Sequence, residues 1–288
     1  MKSNFSRAVF FLLGLILGST KPAFSFDDGT TPFVVSPEIV VDRMLRLADP
    51  QPGELLIDLG SGDGRIVIEA AKRYGARGLG VDIDPRLVQL AQENARRAGV
   101  ESLARFDVQD LFQADLRGAA VVTMYLLPEV NKQLVPKLLA ELRPGARIVS
   151  HDYDMGAWPP DESIELRVPE KMVGPLGRSR VFLWLVPADA RGAWASELPR
   201  YGGRWEFRIA QAFQQLEVQA LVEGRALPVR GAEMRGERIF ISAPGMVAGR
   251  TANHLFRGTL KEGRILGELL VSNGGESRTI PWEARRLP

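Results

Sequence analysis

The chemistry-bearing residues concentrate in Leu55-Leu56-Ile57-Asp58-Leu59-Gly60-Ser61-Gly62-Asp63-Gly64-Arg65, an apolar run that ends in a glycine-rich turn. Glycines at 60, 62 and 64 let a backbone approach a ligand where a Cβ would collide. Their spacing is Gly-x-Gly-x-Gly, not the Gly-x-Gly-x-x-Gly of dinucleotide sites, and a bulky Arg65 stands where the latter wants its third glycine. Asp58 and Asp63 lie where a pyrophosphate would have to sit. Two carboxylates there suit a ligand that carries positive charge and no phosphates.

S-adenosylmethionine, with its sulfonium and amino groups, fits that description. Some twenty residues after Gly60 a second apolar run ends at Asp82 and Ile83, where a carboxylate can accept hydrogen bonds from both ribose hydroxyls. Asp110, in Val108-Gln109-Asp110-Leu111-Phe112, could accept from an adenine amino group while Leu111 or Phe112 packs on the ring. Each aspartate alone could equally be a turn former or helix cap. In this order and spacing they mark a cofactor cleft.

These residues need elements to hold them. Helical and strand patterns alternate between residues 36 and 188, which predicts a parallel sheet with helices on its faces, a Rossmann-like doubly wound α/β fold. Strands are expected at 54–59, 78–83, 104–108, 119–125, 146–151 and 181–186. Helices are expected from Ser36-Pro37-Glu38 to about Leu47, with Ile39, Val40, Met44 and Leu47 as the apolar stripe, and at 66–74, 86–98 and 134–142. Residues 189–200 read as a linker. From 201 to 288 strand-length runs separated by glycine turns predict a small antiparallel meander or barrel, with Trp205, Phe207, Phe240, Phe256 and Trp282 in its core.

The chain has 288 residues, 37 Lys+Arg and 35 Asp+Glu, a formal +2. Lys2, Arg7 and Lys21 supply all the charge before Phe26, and without them the remainder carries −1. The apolar run from Ala8 to Leu17, followed by Ala23-Phe24-Ser25, reads as a signal peptide at 1–25, which predicts an exported, periplasmic protein; a retained leader would instead anchor it to a membrane. Residues 26–194 sum to −5 and residues 195–288 to +4, so no nucleic-acid partner is expected. The absence of cysteine excludes disulfides, thiolate metal sites and cysteine nucleophiles, and two histidines far apart in sequence suggest no metal site.

The glycine-rich string, the Val81-Asp82 pair and the three strand-end aspartates resemble the class I S-adenosylmethionine-dependent methyltransferases. More narrowly, Thr31-Pro32-Phe33-Val34 and Asp58 to Arg65 are similar to the lysine methyltransferases of the adenine nucleotide translocase and ATP synthase c-subunit type. Thr123-Met124-Tyr125-Leu126-Leu127-Pro128 and Ser150-His151-Asp152-Tyr153-Asp154-Met155-Gly156-Ala157-Trp158 resemble bacterial relatives of that group. The resemblance covers roughly residues 30–188. It implies that Gly60, Ser61, Gly62, Asp63 and Gly64 line the methionine end, that Asp82 holds the ribose and Asp110 the adenine, and that Thr31, Pro32 and Phe33 form a lid. Asp82 departs from the family's usual glutamate. Where many amino-group methyltransferases carry an Asn/Asp-Pro-Pro-Tyr string, Met124-Tyr125-Leu126-Leu127-Pro128 stands instead. Tyr125 and Asp152 are the candidate catalytic residues, with His151 and Tyr153 beside them; His151 and Tyr125 could equally be structural. The acceptor expected is a protein lysine or a small molecule, and a non-catalytic cofactor-binding scaffold is the alternative. Sequence leaves the oligomeric state open.

Overall fold

The run Leu55 to Leu59 is apolar on both sides, which is stable only in a strand covered on both faces. In a computed structural model, which describes residues 33–171, 176–247 and 249–288, it forms an interior strand, third of seven, of one sheet. Residues 1–25, and with them the signal-peptide reading, lie outside the described residues, as do Thr31 and Pro32. The strands are β1 (Leu55–Leu59), β2 (Arg77–Asp82), β3 (Ala104–Val108), β4 (Val121–Met124), β5 (Arg147–His151), β6 (Glu162–Arg167) and β7 (Arg178–Leu185), in the order β3-β2-β1-β4-β5-β7-β6. β1 to β5 are parallel, and β7 enters antiparallel between β5 and β6.

Alternate residues of each strand feed two cores. Leu56, Val121 and Val149 pack under α1 (Glu38–Ala48), α2 (Arg65–Tyr74) and α3 (Pro85–Ala98); Ile57, Val122 and Ile148 pack against α4 (Pro128–Glu141) on the other face. Asp84 caps α3 by accepting the Arg86 N–H, with Pro85 at the first helical position, and Gly99 ends it in the left-handed region. Two expectations for α1 change. Its buried stripe is Val40, Val41, Met44, Leu45 and Ala48, leaving Ile39 half exposed, and Ser36 does not cap it, because its hydroxyl is taken by His151.

The expected linker 189–200 is largely a strand, β8 (Gly192–Leu198). Trp194, Ser196 and Leu198 alternate inward along it, a period hidden because the middle inward residue is a serine. It is followed by β9 (Gly203–Ala212), β10 (Gln215–Val222), β11 (Arg225–Leu227), β12 (Gly231–Arg235), β13 (Arg238–Val247), β14 (Arg250–Lys261), β15 (Arg264–Asn273) and β16 (Glu276–Arg286). All but β11 close an antiparallel eight-stranded barrel, which removes the open edges a meander would leave. Trp205, Phe207, Phe256 and Trp282 fill it, whereas Phe240, between buried Ile239 and Ile241, belongs to the outer face.

Residues 34–288 form one compact unit. The β9–β10 turn, Phe213-Gln214, reaches the loop after β5: the Phe213 ring stacks on Trp158 at 5.6 Å, and the Trp158 indole donates to Gln214 Oε1 at 3.0 Å. No helix among the described residues is long and apolar enough to cross a membrane.

Candidate active site

The site lies at the carboxyl ends of β1, β2, β4 and β5, where open α/β sheets bind ligands. The turn after β1 is held close to the end of β2: the Gly60 and Ser61 amides donate to the Val81 carbonyl at 2.9 and 3.0 Å, and the Gly62 amide donates to Asp82 Oδ2 at 2.9 Å. Gly64 has φ 81°, and a Cβ there would lie 2.6 Å from the Phe106 ring, so only glycine lets α2 start this close to the sheet. A Cβ on Gly60 would meet Leu126 at 2.8 Å, which places the β4 end against the turn.

Asp58 is buried at the end of β1 and accepts the Thr123 hydroxyl at 2.7 Å. Burial, reinforced by the charges of Asp82 and Asp63, pushes its carboxyl up to about 7. Asp82 accepts the amides of Gly62 and Asp84 and so is oriented by backbone. Ile83, Val108 and Phe112 remain exposed beside it, and Leu111 is half buried, apolar surface suited to an aromatic ring. Asp110 stands in solvent, with one oxygen on the Phe112 amide.

Two expected ligand groups are turned elsewhere. The Asp63 carboxylate is gripped by Arg65, Nε to Oδ1 at 2.9 Å and Nη2 to Oδ2 at 2.6 Å, so the acidity facing the cleft rests on Asp58 and Asp82. Ser61 turns its side chain inward over Gly80, leaving its backbone for the turn. Phe33 is exposed.

On the acceptor side, Tyr125 follows β4, and His151 with Asp152 ends β5. The structure joins these to residues sequence reasoning did not single out. His151 is clamped between the hydroxyls of Ser36, 2.8 Å from Nδ1, and Ser179, 2.9 Å from Nε2. Burial pulls its pKa down to about 4, so it is neutral at physiological pH. Its ring packs 3.9 Å from that of Tyr125, which in turn stacks on Tyr153 at 6.3 Å. Asp152 adopts φ 63°, a left-handed conformation strained for a non-glycine residue. Its carboxylate takes the Tyr125 hydroxyl at 3.4 Å, the Arg180 amide at 3.1 Å and the ammonium of a buried lysine, Lys171. Burial and the Asp152 charge push the Tyr125 phenol well above its ordinary value, so it stays protonated. Asp152, a candidate catalytic residue from sequence, is thus a carboxylate engaged by Tyr125, Arg180 and Lys171. Lys171 had no signal in sequence, since a lone lysine between strands is ordinarily solvated. Among the described residues no group of three or more His, Asp or Glu is placed to hold a metal.

A glycine cradle, a buried acid with a raised pKa and an exposed apolar rim fit a cationic nucleoside, and fold and site together define a class I methyltransferase. A model of the ANTKMT methyltransferase domain matches residues 58–162. The chain is 42% identical over 136 residues to a protein-lysine N-methyltransferase of Saccharolobus islandicus, covering 47% of this chain and 84% of that relative. It is 40% identical over 130 residues to the adenine nucleotide translocase lysine N-methyltransferase of Mus musculus, 45% of this chain and 56% of that one. A solved RNA methyltransferase from Salinibacter ruber, in complex with S-adenosyl-L-homocysteine, is 50% identical with a TM-score of 0.50, over 54% of this chain and 95% of that chain. The chain therefore belongs to the S-adenosylmethionine-dependent methyltransferase family of the adenine nucleotide translocase and ATP synthase c-subunit lysine methyltransferases.

Proposed function

We propose that this methyltransferase transfers its methyl group to the side-chain nitrogen of a protein lysine. The observation that carries the reading is the chemistry of the acceptor side: the Asp152 carboxylate and the Tyr125 and Tyr153 rings meet beside the cofactor cleft, a set that recognises an ammonium group. The relatives named as lysine methyltransferases support it.

When bound, S-adenosylmethionine supplies an electrophilic methyl group on a sulfonium. The chain's residues then have three tasks. Asp58 and the turn Gly60 to Gly64 would hold the methionine end, Asp82 the ribose hydroxyls, and Asp110 with Ile83, Leu111 and Phe112 the adenine. Tyr125 and Leu126 wall the path between that end and the acceptor and keep it poor in water. Asp152 and Tyr125 would orient the acceptor amine, with Tyr125 protonated as a hydrogen-bond donor. A covalent enzyme nucleophile is unnecessary, so positioning is the main contribution.

The Salinibacter neighbour, an RNA methyltransferase, favours RNA as a second reading. The charge of the catalytic half opposes it: residues 26–194, which carry the cofactor cleft, sum to −5, a poor surface for a polyanion. Incubating extracts with tritiated S-adenosylmethionine tests the two: label sensitive to protease supports protein acceptors, and label sensitive only to ribonuclease overturns them. The leader composition, Lys2 and Arg7 before an apolar run, supports action outside the cytoplasm. Fractionation checks this, and a full-length protein confined to the cytoplasm would remove it.

A further inference from the structure

Lys171 lies between β6 and β7, yet its side chain is 4% exposed and its ammonium sits on the Asp152 carboxylate. It donates also to the Arg178 carbonyl at 2.9 Å, so among the described residues two acceptors meet its three N–H groups. Buried lysines are rare, because desolvating an ammonium is costly unless the surroundings are built for it. Here they are built for it on several sides. Asp152 is held in a strained left-handed backbone, fixed by the Arg180 amide on one oxygen and beside the Tyr125 hydroxyl on the other. Tyr125 is itself braced between His151 and Tyr153.

The location matters as much as the composition. Tyr125 is followed by Leu126, which touches the turn at Gly60, while Asp152 ends the strand next to β4. The ammonium therefore lies on the acceptor side of the cleft, two to three strand spacings, roughly 10–15 Å, from the end of β1.

We infer that Asp152, Tyr125 and the Arg178 carbonyl form the subsite for the acceptor lysine's ammonium, and that the chain's own Lys171 occupies it in this conformation as an internal stand-in. This rests on the lysine N-methylation proposed above and adds to it where the acceptor binds and what it must displace. In the transfer, the acceptor ammonium sheds a proton to Asp152 and on to water. The freed nitrogen lone pair forms the new C–N bond while the C–S bond breaks with its electrons on sulfur.

Replacing Lys171→Gly removes atoms equivalent to n-butylamine, which makes that amine the probe. By calorimetry, n-butylammonium binds the cofactor-free variant and not the wild type. With labelled S-adenosylmethionine, the variant yields labelled N-methylbutylamine while the wild type stays at the no-enzyme background. A variant that binds S-adenosylhomocysteine with wild-type affinity but transfers nothing to butylamine overturns the subsite, even if butylammonium binds, because filling a structural gap would produce binding alone. Should the variant not fold, peptide mass spectrometry of wild type incubated with S-adenosylmethionine decides. Methyl groups on Lys171, gained at a rate independent of protein concentration, support the inference, and an unmodified Lys171 overturns it. Methylated lysines in extract proteins alongside negative results here would leave the N-methyltransferase reading standing and remove only this subsite.

Discussion

Asp58 and Asp82 form the acidic heart of the cleft, and Asp58 has the more telling environment. With its carboxyl raised to about 7, it is near half-protonated at neutral pH. A bound cation favours the charged form, so the pKa falls in the complex and binding at pH 6 must expel a proton. Cofactor affinity should accordingly decline as pH falls below 7, by at most about tenfold per unit. Calorimetry at pH 6 in two buffers of different ionisation enthalpy measures the proton directly; none released in wild type, or the same release in Asp58→Asn, would contradict this role. Asp82→Ala should weaken cofactor binding roughly 10- to 100-fold, the worth of charged hydrogen bonds. Wild-type affinity in that variant would remove Asp82 from the site. Such strand-end aspartates are legible in sequence because each must follow an apolar run. The Lys171–Asp152 pair was not legible, since side-chain partners nineteen residues apart leave no periodic trace.

Strands buried on both faces, β1, β4 and β5, emerge from sequence within a residue or two, because mostly apolar runs mark them. β6 is an edge strand whose residues are mostly exposed, so it has no such run. β8 is hidden because only two of its three inward residues, Trp194 and Leu198, are apolar, with Ser196 between them and a glycine and two alanines among the rest. Turns carry the barrel's register: Glu223-Gly224, Gly236-Glu237, Glu262-Gly263 and Gly274-Gly275 each contain a glycine at positive φ. Phe213-Gln214 contains none, and Phe213 nonetheless adopts φ 54°. Its strain is offset by the Trp158 stack and by the Gln214 amide, which bonds the Trp158 indole and the Pro159 carbonyl. Gln214→Ala leaves a buried indole N–H unpaired and should destabilise the protein by about 1–3 kcal/mol. Urea denaturation checks it, and an unchanged midpoint would mean the joint contributes nothing.

At the scale of the molecule, the barrel and the sheet act as one body because Trp158 belongs to the acceptor-side loop and Phe213 to the barrel. A chain ending at residue 188 would uncover Trp158, and should melt lower or aggregate; an equally stable, soluble fragment would show that the barrel is a mere appendage. The overall division into an acidic α/β half and a basic β half is visible in the charge count alone, whereas closure of the barrel is not, because it depends on pairing β8 with β16 across ninety residues. The central claim is N-methylation of lysine, and the chemical identity of the labelled residue tests it most directly. Proteins labelled by the purified enzyme and tritiated S-adenosylmethionine should, after acid hydrolysis and amino-acid analysis, release their tritium as N-methylated lysine. Tritium recovered in any other amino acid, or only in nucleosides, would contradict it.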